Sequence, residues 1–172
     1  MDENKALVEF LRTGIAPDAG AVVVMAAEKS DPLYRILVAL KAVGMLAADL
    51  HYRAHGKPFY AIHKLSDIIW DVRRNFDELV EVYYLGERQS VPPPIGHICS
   101  NASELVKADY AGEEPTEDRL ISSLRRRCED TAALVEDAKA LALRSGTNAV
   151  LDEISKAMLQ DAGLLTRTEA KA

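Results

Sequence analysis

Several classes of protein are excluded by what this sequence contains little of. Only 2 of its 172 residues are cysteines, Cys99 and Cys128. Their wide separation excludes a CxxC metal motif, so we expect free thiols rather than disulfides or structural zinc. Aromatic residues make up only 6% of the chain and β-branched runs are few, which disfavours β-sheets. Ala and Leu are abundant instead and favour packed helices. We therefore expect an all-α protein.

Long apolar runs and an excess of basic charge are also missing. The most apolar stretch, residues 19–27, is far shorter than the ~20 residues of a membrane-spanning helix. The N-terminus, Met1 to Lys5, is acidic where a secretory signal is basic, so the sequence predicts a cytoplasmic protein without membrane contact. Its 21 basic and 27 acidic residues give a net charge of −6, which disfavours nucleic acid and favours cations as partners.

The length of the chain and the limits of its helical pattern predict one domain with an extension at each end. A chain of 172 residues suits a single core. Residues 1–30 are predicted to be an N-terminal extension, in which residues 19–27 form either a short helix or an arm lying on a neighbour. The helical domain comprises residues 31–166, and the polar residues 167–172 are expected to form a flexible tail.

Apolar residues at steps of three and four predict four long helices in the central domain. Asp31 as N-cap and Pro32 in the first turn open helix A, which should end near residues 54–56. The other three are predicted as helix B, from Phe59 to Leu85, helix C, from Thr116 to Arg144 with Ser145-Gly146 as its stop, and helix D, from Thr147 or Asn148 onward. A long connection with one short helix, Ile95 to Val106, separates B from C. Two short links and one long B–C crossover are typical of a ferritin-like four-helix bundle.

Helix B carries a group of metal-binding residue types on one side. At about 100° per residue, four of its acidic residues lie within about 60° of His63, and its apolar residues lie on the opposite side. The group consists of His63, Asp67, Asp77, Glu78 and Glu81, and His51 closes helix A. Imidazole and carboxylate ligands suit iron or manganese. An ordinary solvated face is the alternative for the three carboxylates that follow Asp67. If the group does bind metal, its outward orientation predicts that a second subunit covers it.

The segment from His51 to Asp67 resembles the signature of the Dps family of mini-ferritins. It has a His that closes helix A, an aromatic residue after it, a Gly56-x-x-Phe59 turn, a second His twelve residues after the first, and an Asp four residues later. Less specific similarities extend the resemblance over residues 32–165.

The resemblance implies a dodecameric cytoplasmic cage that stores iron and protects against oxidative stress. His51, His63 and Asp67 of one subunit would form a ferroxidase site with two carboxylates from helix B of another, Glu81 being the best candidate. The site would hold a pair of Fe ions, with Mn or Zn as alternative metals. Fe(II) would be oxidised by hydrogen peroxide or dioxygen, which makes the chain a ferroxidase-type oxidoreductase.

Two departures from the family pattern keep alternatives open. The family positions of the second pair of carboxylates fall on Glu78 and Val82, and valine cannot bind a metal. Shifting the alignment by one residue pairs Asp77 with Glu81, so both Asp77/Glu81 and Glu78/Glu81 remain candidates. The alternative function is a ferritin-like assembly or nucleoid-binding protein with reduced or lost ferroxidase activity.

Basic residues of the kind that let some family members bind DNA are scarce at the N-terminus. There is no Lys-rich tail, so DNA binding is not expected. The basic run Arg125 to Arg127 lies within helix C, where consecutive side chains fan around the axis. We expect these arginines to form salt bridges between subunits.

Overall fold

Five α-helices and one π-helical segment make up the described part of the chain. The structure is a computed structural model that describes residues 31–53, 59–110, 116–141 and 143–169, without the side chains of residues 59–64 and 168–169. The helices are α1, Pro32–Arg53; α2, Phe59–Leu79, continued by the π-helix Val80–Glu87; α3, Ile95–Tyr110; α4, Glu117–Lys139; and α5, Ser145–Glu169. Within these ranges there is no strand, so the predicted all-α class is confirmed. The predicted extension, residues 1–30, lies outside the description.

Two helix starts follow the capping signals in the sequence. An Asp31 carboxylate oxygen accepts a hydrogen bond from the backbone N–H of Leu33 at 2.9 Å, at the start of α1. The Thr116 hydroxyl accepts one from the N–H of Arg119 at 3.4 Å, at the start of α4. Such bonds satisfy N–H groups that have no partner within a helix. The predicted N-cap at Asp31 is confirmed, and Thr116, predicted as the first residue of helix C, is the N-cap of α4.

The four long helices pack in a closed ring around one apolar core. α1 contacts α2 and α4, and α5 contacts α4 and α2 with its π extension. The first pair is antiparallel, because Arg88 after the π-helix reaches Asp31 before α1. The last pair is antiparallel as well, because Lys139 at the end of α4 binds Asp152 near the start of α5. Buried residues from all four helices fill the centre, among them Leu37, Leu40, Leu46, Ile68, Leu79, Leu120, Leu124, Leu151, Ile154 and Met158.

The connection between α2 and α4 carries α3 along the outside of α1. The side-chain amide of Asn101 donates to the Tyr34 hydroxyl at 2.6 Å, near the start of α1. The Tyr110 hydroxyl donates to Asp49, near the end of α1. α3 therefore runs in the same direction as α1, and the connection takes the chain from one end of the ring to the other.

The end of predicted helix B is not a regular α-helix. From Val80 to Glu87 the chain forms a π-helix, and the turn after it stays wide, with the N–H of Arg88 donating to the Tyr83 carbonyl at 2.7 Å. Side-chain contacts hold this segment to α1: Tyr84 is buried and its hydroxyl donates to Asp31 at 3.4 Å. The prediction of one uniform helix was wrong here, because eight residues are too few for the apolar pattern to distinguish the two helix types.

The junction between the last two helices also differs from the prediction. α4 ends at Lys139 and not at Arg144, and α5 begins at Ser145, so Ser145-Gly146 opens a helix instead of ending one. The cause is Glu87, whose carboxylate accepts hydrogen bonds from the N–H of Arg144 at 3.0 Å and from the Thr147 hydroxyl. The cap thus comes from a distant part of the chain. α3 also extends four residues beyond its predicted end, to Tyr110.

The arginine run of α4 binds within its own chain. Arg126 and Arg127 both donate to Asp109 near the end of α3, at 2.6 Å and 2.8 Å. Arg125 pairs with Glu129 one turn along α4, at 3.0 Å. Within the chain, α3 brings a buried carboxylate within reach of two adjacent arginines, and the expected salt bridges between subunits stay a prediction.

Two further expectations bear on the environment of the chain. Both cysteines are free thiols, as predicted, with Cys128 buried and Cys99 half-buried. Among the described helices, none is both long enough and apolar enough to cross a membrane.

Candidate metal-binding face

The α2 helix has an apolar inner side and a charged outer side. Leu65, Ile68, Val72 and Leu79 are buried against the core. The exposed residues lie on the other side, and they are Asp67, Trp70, Arg73, Arg74, Asp77 and, in the first π turn, Glu81. The predicted division of the helix into these two sides is therefore observed. We call the second side, defined by Asp67, Trp70, Arg74, Asp77 and Glu81, the outer face of α2.

His51 lies in the last turn of α1, next to the start of α2. Its side chain is half-buried, and its Nδ1 atom is buried without a hydrogen-bond partner. The imidazole meets the Tyr52 ring edge-on, with the centroids 5.7 Å apart. A buried nitrogen without a partner costs free energy, and it is an atom that a cation could satisfy.

The remaining residues of the predicted motif are only partly described. His63 belongs to the described backbone of α2, one helical turn before Asp67, but its side chain lies outside the description. The turn that contains Gly56 lies outside it as well. Asp67 is exposed on the outer face.

One chain alone does not bring all the predicted ligands together. At about 1.5 Å per residue, Asp77 lies roughly 15 Å along the helix from Asp67, and Glu81 lies roughly 21 Å from it. These distances are several times the length of a metal–oxygen bond. Among the residues with described side chains, no group of three or more His, Cys, Asp or Glu is arranged to hold a metal ion. A site with both halves would need a second chain.

The candidates for the second pair of carboxylates differ in exposure and orientation. Asp77 and Glu81 are exposed and lie one turn apart on the outer face, whereas Glu78 is half-buried at its edge. Val82 points toward α5, since its Cγ1 atom would lie 3.5 Å from a Cβ atom added to Gly146. The geometry therefore favours Asp77 with Glu81 as the outward pair.

The π-helix that carries Glu81 is fixed by a group of polar side chains. Arg88 donates to Asp31 at 2.7 Å, and the Tyr83 and Tyr84 rings meet at 4.9 Å between centroids. Burial raises the pKa of the Tyr84 hydroxyl, and the negative charge of Asp31 raises it further. The hydroxyl therefore keeps its proton and remains a donor to Asp31. This group holds the end of the π-helix to the start of α1.

A groove runs between α1 and α2 beside the outer face. Its volume is about 490 Å³, and it is lined by Lys41, Gly44, Met45, Ala48, Ile69, Val72, Arg73, Phe76, Asp77 and Ile95. Trp70 follows the lining residue Ile69 on α2, and 67% of its surface is exposed. Sequence reasoning missed this tryptophan, although the helical wheel places it only about 20° from His63. We call this cavity the α1–α2 groove.

No family model, curated protein or solved structure matches this chain. Sequence and geometry thus define an all-α protein with a charged outer face and an incomplete set of metal-binding residues.

Proposed function

We propose that this chain is the subunit of a Dps-like mini-ferritin, which binds and oxidises Fe(II) at a site shared by two copies. The observation that carries the proposal is the position of the His51–His63–Asp67 motif at the α1–α2 junction. There it borders an outer face with further carboxylates that the same chain cannot bring to the same ion.

The arrangement of the helices supports a ferritin-like bundle. Four long helices form a ring, with α1 antiparallel to α2 and α4 antiparallel to α5. The α3 connection spans the length of the ring, which is the role of the long crossover in ferritin-like folds. The dodecameric cage and the storage of ferric mineral within it belong to the same proposal.

The chemistry of the motif suits iron as a substrate. Borderline ions such as Fe(II) accept both imidazole nitrogen and carboxylate oxygen. His51 offers a buried nitrogen without a partner, and Asp67 offers an exposed carboxylate. In the proposed dimer, Asp77 and Glu81 of the second copy add carboxylates whose negative charge balances the charge that iron gains on oxidation.

The proposed reaction is a two-electron reduction of peroxide. Each of two Fe(II) ions gives one electron to a hydrogen peroxide molecule, whose O–O bond breaks, and two protons from solvent complete two water molecules. Holding two ions at one site avoids the transfer of a single electron, which would release a hydroxyl radical. Dioxygen is the alternative oxidant.

The proposal is tested by anaerobic titration of the purified chain with Fe(II) and peroxide. We expect two Fe(II) to be oxidised per peroxide and the product to remain in solution with a particle of about twelve subunits. A partner that merely orients a metal ligand is worth roughly 10- to 100-fold in affinity or activity. His51→Ala should therefore slow the oxidation by no less, and His97→Ala, on α3, should leave it unchanged. Oxidation at the rate of iron alone in buffer would refute the proposal.

Val82 favours a second candidate function, an assembly that kept the fold and lost most ferroxidase chemistry. Valine occupies one family position for a carboxylate, and here it points toward α5. An anomalous-diffraction map of crystals soaked in iron separates the candidates. A peak beside His51 supports iron oxidation, and an ordered site without one supports the assembly role.

A further inference from the structure

We propose that a second copy of this chain packs antiparallel along α2, with Trp70 of each copy inserted into the α1–α2 groove of the other. This inference rests on the proposed function, because it specifies the partner that would complete the shared site. The argument uses the exposure of Trp70, the lining of the groove and the order of charges along α2.

The exposure of Trp70 to solvent in the single chain is unfavourable in free energy. An indole is among the largest apolar side chains, and 67% of this one faces solvent on the outer face of α2. Ile95, at the start of α3, is 56% exposed and lines the groove nearby. Exposed tryptophans beside a pocket are typical anchors of protein interfaces, so a partner surface is the expected cover.

The α1–α2 groove offers a receptor of matching chemistry. Its walls include Met45, Ile69 and Phe76, which pack against the core while remaining partly exposed. Gly44 lets α1 and α2 approach closely at the groove, since a Cβ atom there would lie only 3.3 Å from Val72. A volume of about 490 Å³ leaves room for an indole ring together with the apolar atoms around it.

The charges of the outer face point to a second copy as the occupant. Asp71 and Arg74 form an ion pair at 3.5 Å, and both side chains are at least 40% exposed. When two α2 helices pack antiparallel about a two-fold axis between residues 72 and 73, each Asp71 faces the second copy's Arg74. Such an interface is self-complementary, as closed two-fold contacts require.

The same register serves both the tryptophan and the metal-binding residues. It places Trp70 opposite residue 75 of the second copy, one or two residues from Phe76 and Asp77, which line the groove. It also places Asp67 opposite residue 78, between the second copy's Asp77 and Glu81. One axis, derived from the charges, therefore brings each half of the proposed iron site to the other half.

The chain contains a single tryptophan, so its fluorescence reports on this contact alone. We expect the emission to shift to the blue and acrylamide quenching to fall as the concentration rises, with the same midpoint as the increase in mass in sedimentation equilibrium. An assembled particle whose tryptophan stays as accessible as in the monomer would overturn the inference. So would a chain that remains monomeric at every concentration.

Two sets of variants test the contact between the two copies through the mass of the particle in sedimentation equilibrium. Trp70→Ala should raise the dissociation constant of the dimer roughly 30-fold, as expected for an interface anchor. The control Leu159→Ala, which truncates a side chain 56% exposed on α5, should not. Asp71→Arg and Arg74→Asp should each weaken the dimer, and combining them should restore it. Unchanged dimerisation in Trp70→Ala, with helicity retained by circular dichroism, would contradict the inference.

Iron chemistry separates this inference from the proposed function. A dimer with a buried Trp70 that fails to oxidise Fe(II) would refute the function and leave the interface standing. A particle that oxidises Fe(II) while Trp70 stays exposed would refute the interface and leave the function standing.

Discussion

Asn75 occupies an unusual position for a polar side chain. It is completely buried on the inner side of α2, and neither its amide nitrogen nor its amide oxygen has a hydrogen-bond partner. Each unsatisfied group of this kind costs about 1–3 kcal/mol. The helix thus tolerates a local penalty that a hydrocarbon side chain at the same position would avoid.

We predict that Asn75→Leu raises the free energy of unfolding by at least about 1 kcal/mol, measured by urea denaturation. Asn101→Leu is the matched control, because Asn101 donates to the Tyr34 hydroxyl at 2.6 Å. Its replacement should lower the free energy of unfolding by about 1 kcal/mol. A less stable Asn75→Leu variant would show that the amide has a partner in solution, such as a bound water molecule.

Cys128 and Cys99 are predicted to differ in reactivity. Burial raises the pKa of the Cys128 thiol, with smaller contributions from Asp161 and Glu129. Because only the thiolate is nucleophilic, we expect a thiol reagent to label half-buried Cys99 in the native protein and to leave Cys128 unlabelled. Mass spectrometry of peptides, with urea-unfolded protein as the control for full labelling, measures both. Equal labelling rates in the native protein would contradict the assignment.

The raised pKa of Cys128 also predicts that the free energy of unfolding falls at high pH. The folded pKa of Cys128 lies above that of the unfolded chain, where a thiol titrates near ~8.5. Its contribution to stability is fully present below that value, and it is lost as the pH rises toward the folded pKa.

At the scale of whole elements, Asp109 joins α3 to α4. Its side chain is only 1% exposed, and it binds Arg126 and the 14% exposed Arg127. This contact fastens the end of the crossover to the first half of α4. The crossover is therefore held at its far end by charge, and near its start by the hydrogen bond between Asn101 and Tyr34.

We predict that Asp109→Asn destabilises the fold by roughly 3 kcal/mol, because it leaves the charge of Arg127 without its buried partner. Glu129→Gln removes the exposed partner of Arg125 and should cost less than about 1 kcal/mol. Thermal and urea unfolding of the two variants provide the comparison. Equal losses in both would show that the buried contact contributes no more than a surface pair.

The π-helix decides how the second pair of carboxylates is presented. Val82 lies on its inner side beside Gly146, whereas Glu81 is exposed. A carboxylate introduced at position 82 would therefore meet α5 and not the outer face. The sequence pattern of the family and the geometry of this chain assign that role to different residues.

We predict that Val82→Glu leaves the rate of iron oxidation no higher than in the parent chain and lowers the melting temperature, because a charge is brought against α5. Glu81→Gln should instead slow iron oxidation and leave the melting temperature within a few degrees. Glu104→Gln, at an exposed position on α3, is the control for the loss of a negative charge. Faster oxidation in Val82→Glu would favour the unshifted alignment.

At the scale of the molecule, the outer face of α2 is the exposed side of that helix. Its carboxylates, its arginines and Trp70 all point away from the core. The proposals for iron and for the second copy therefore concern the same face, and the second proposal rests on the first.

The sequence by itself determined the helical class, the inner stripe of each helix and the cap at Asp31. It also determined which residues share the outer face of α2. These features depend on residues within about one helical turn of each other, and both the helix period and a local hydrogen bond act over that range.

Only the tertiary structure decided the start of α5, the π-helix, the binding of Arg126 and Arg127 to Asp109, and the groove beside Trp70. Each depends on partners brought together from distant positions, as when Glu87 caps the chain 57 residues later at Arg144. A local pattern carries no record of such a partner, because the contact exists only after the helices have packed.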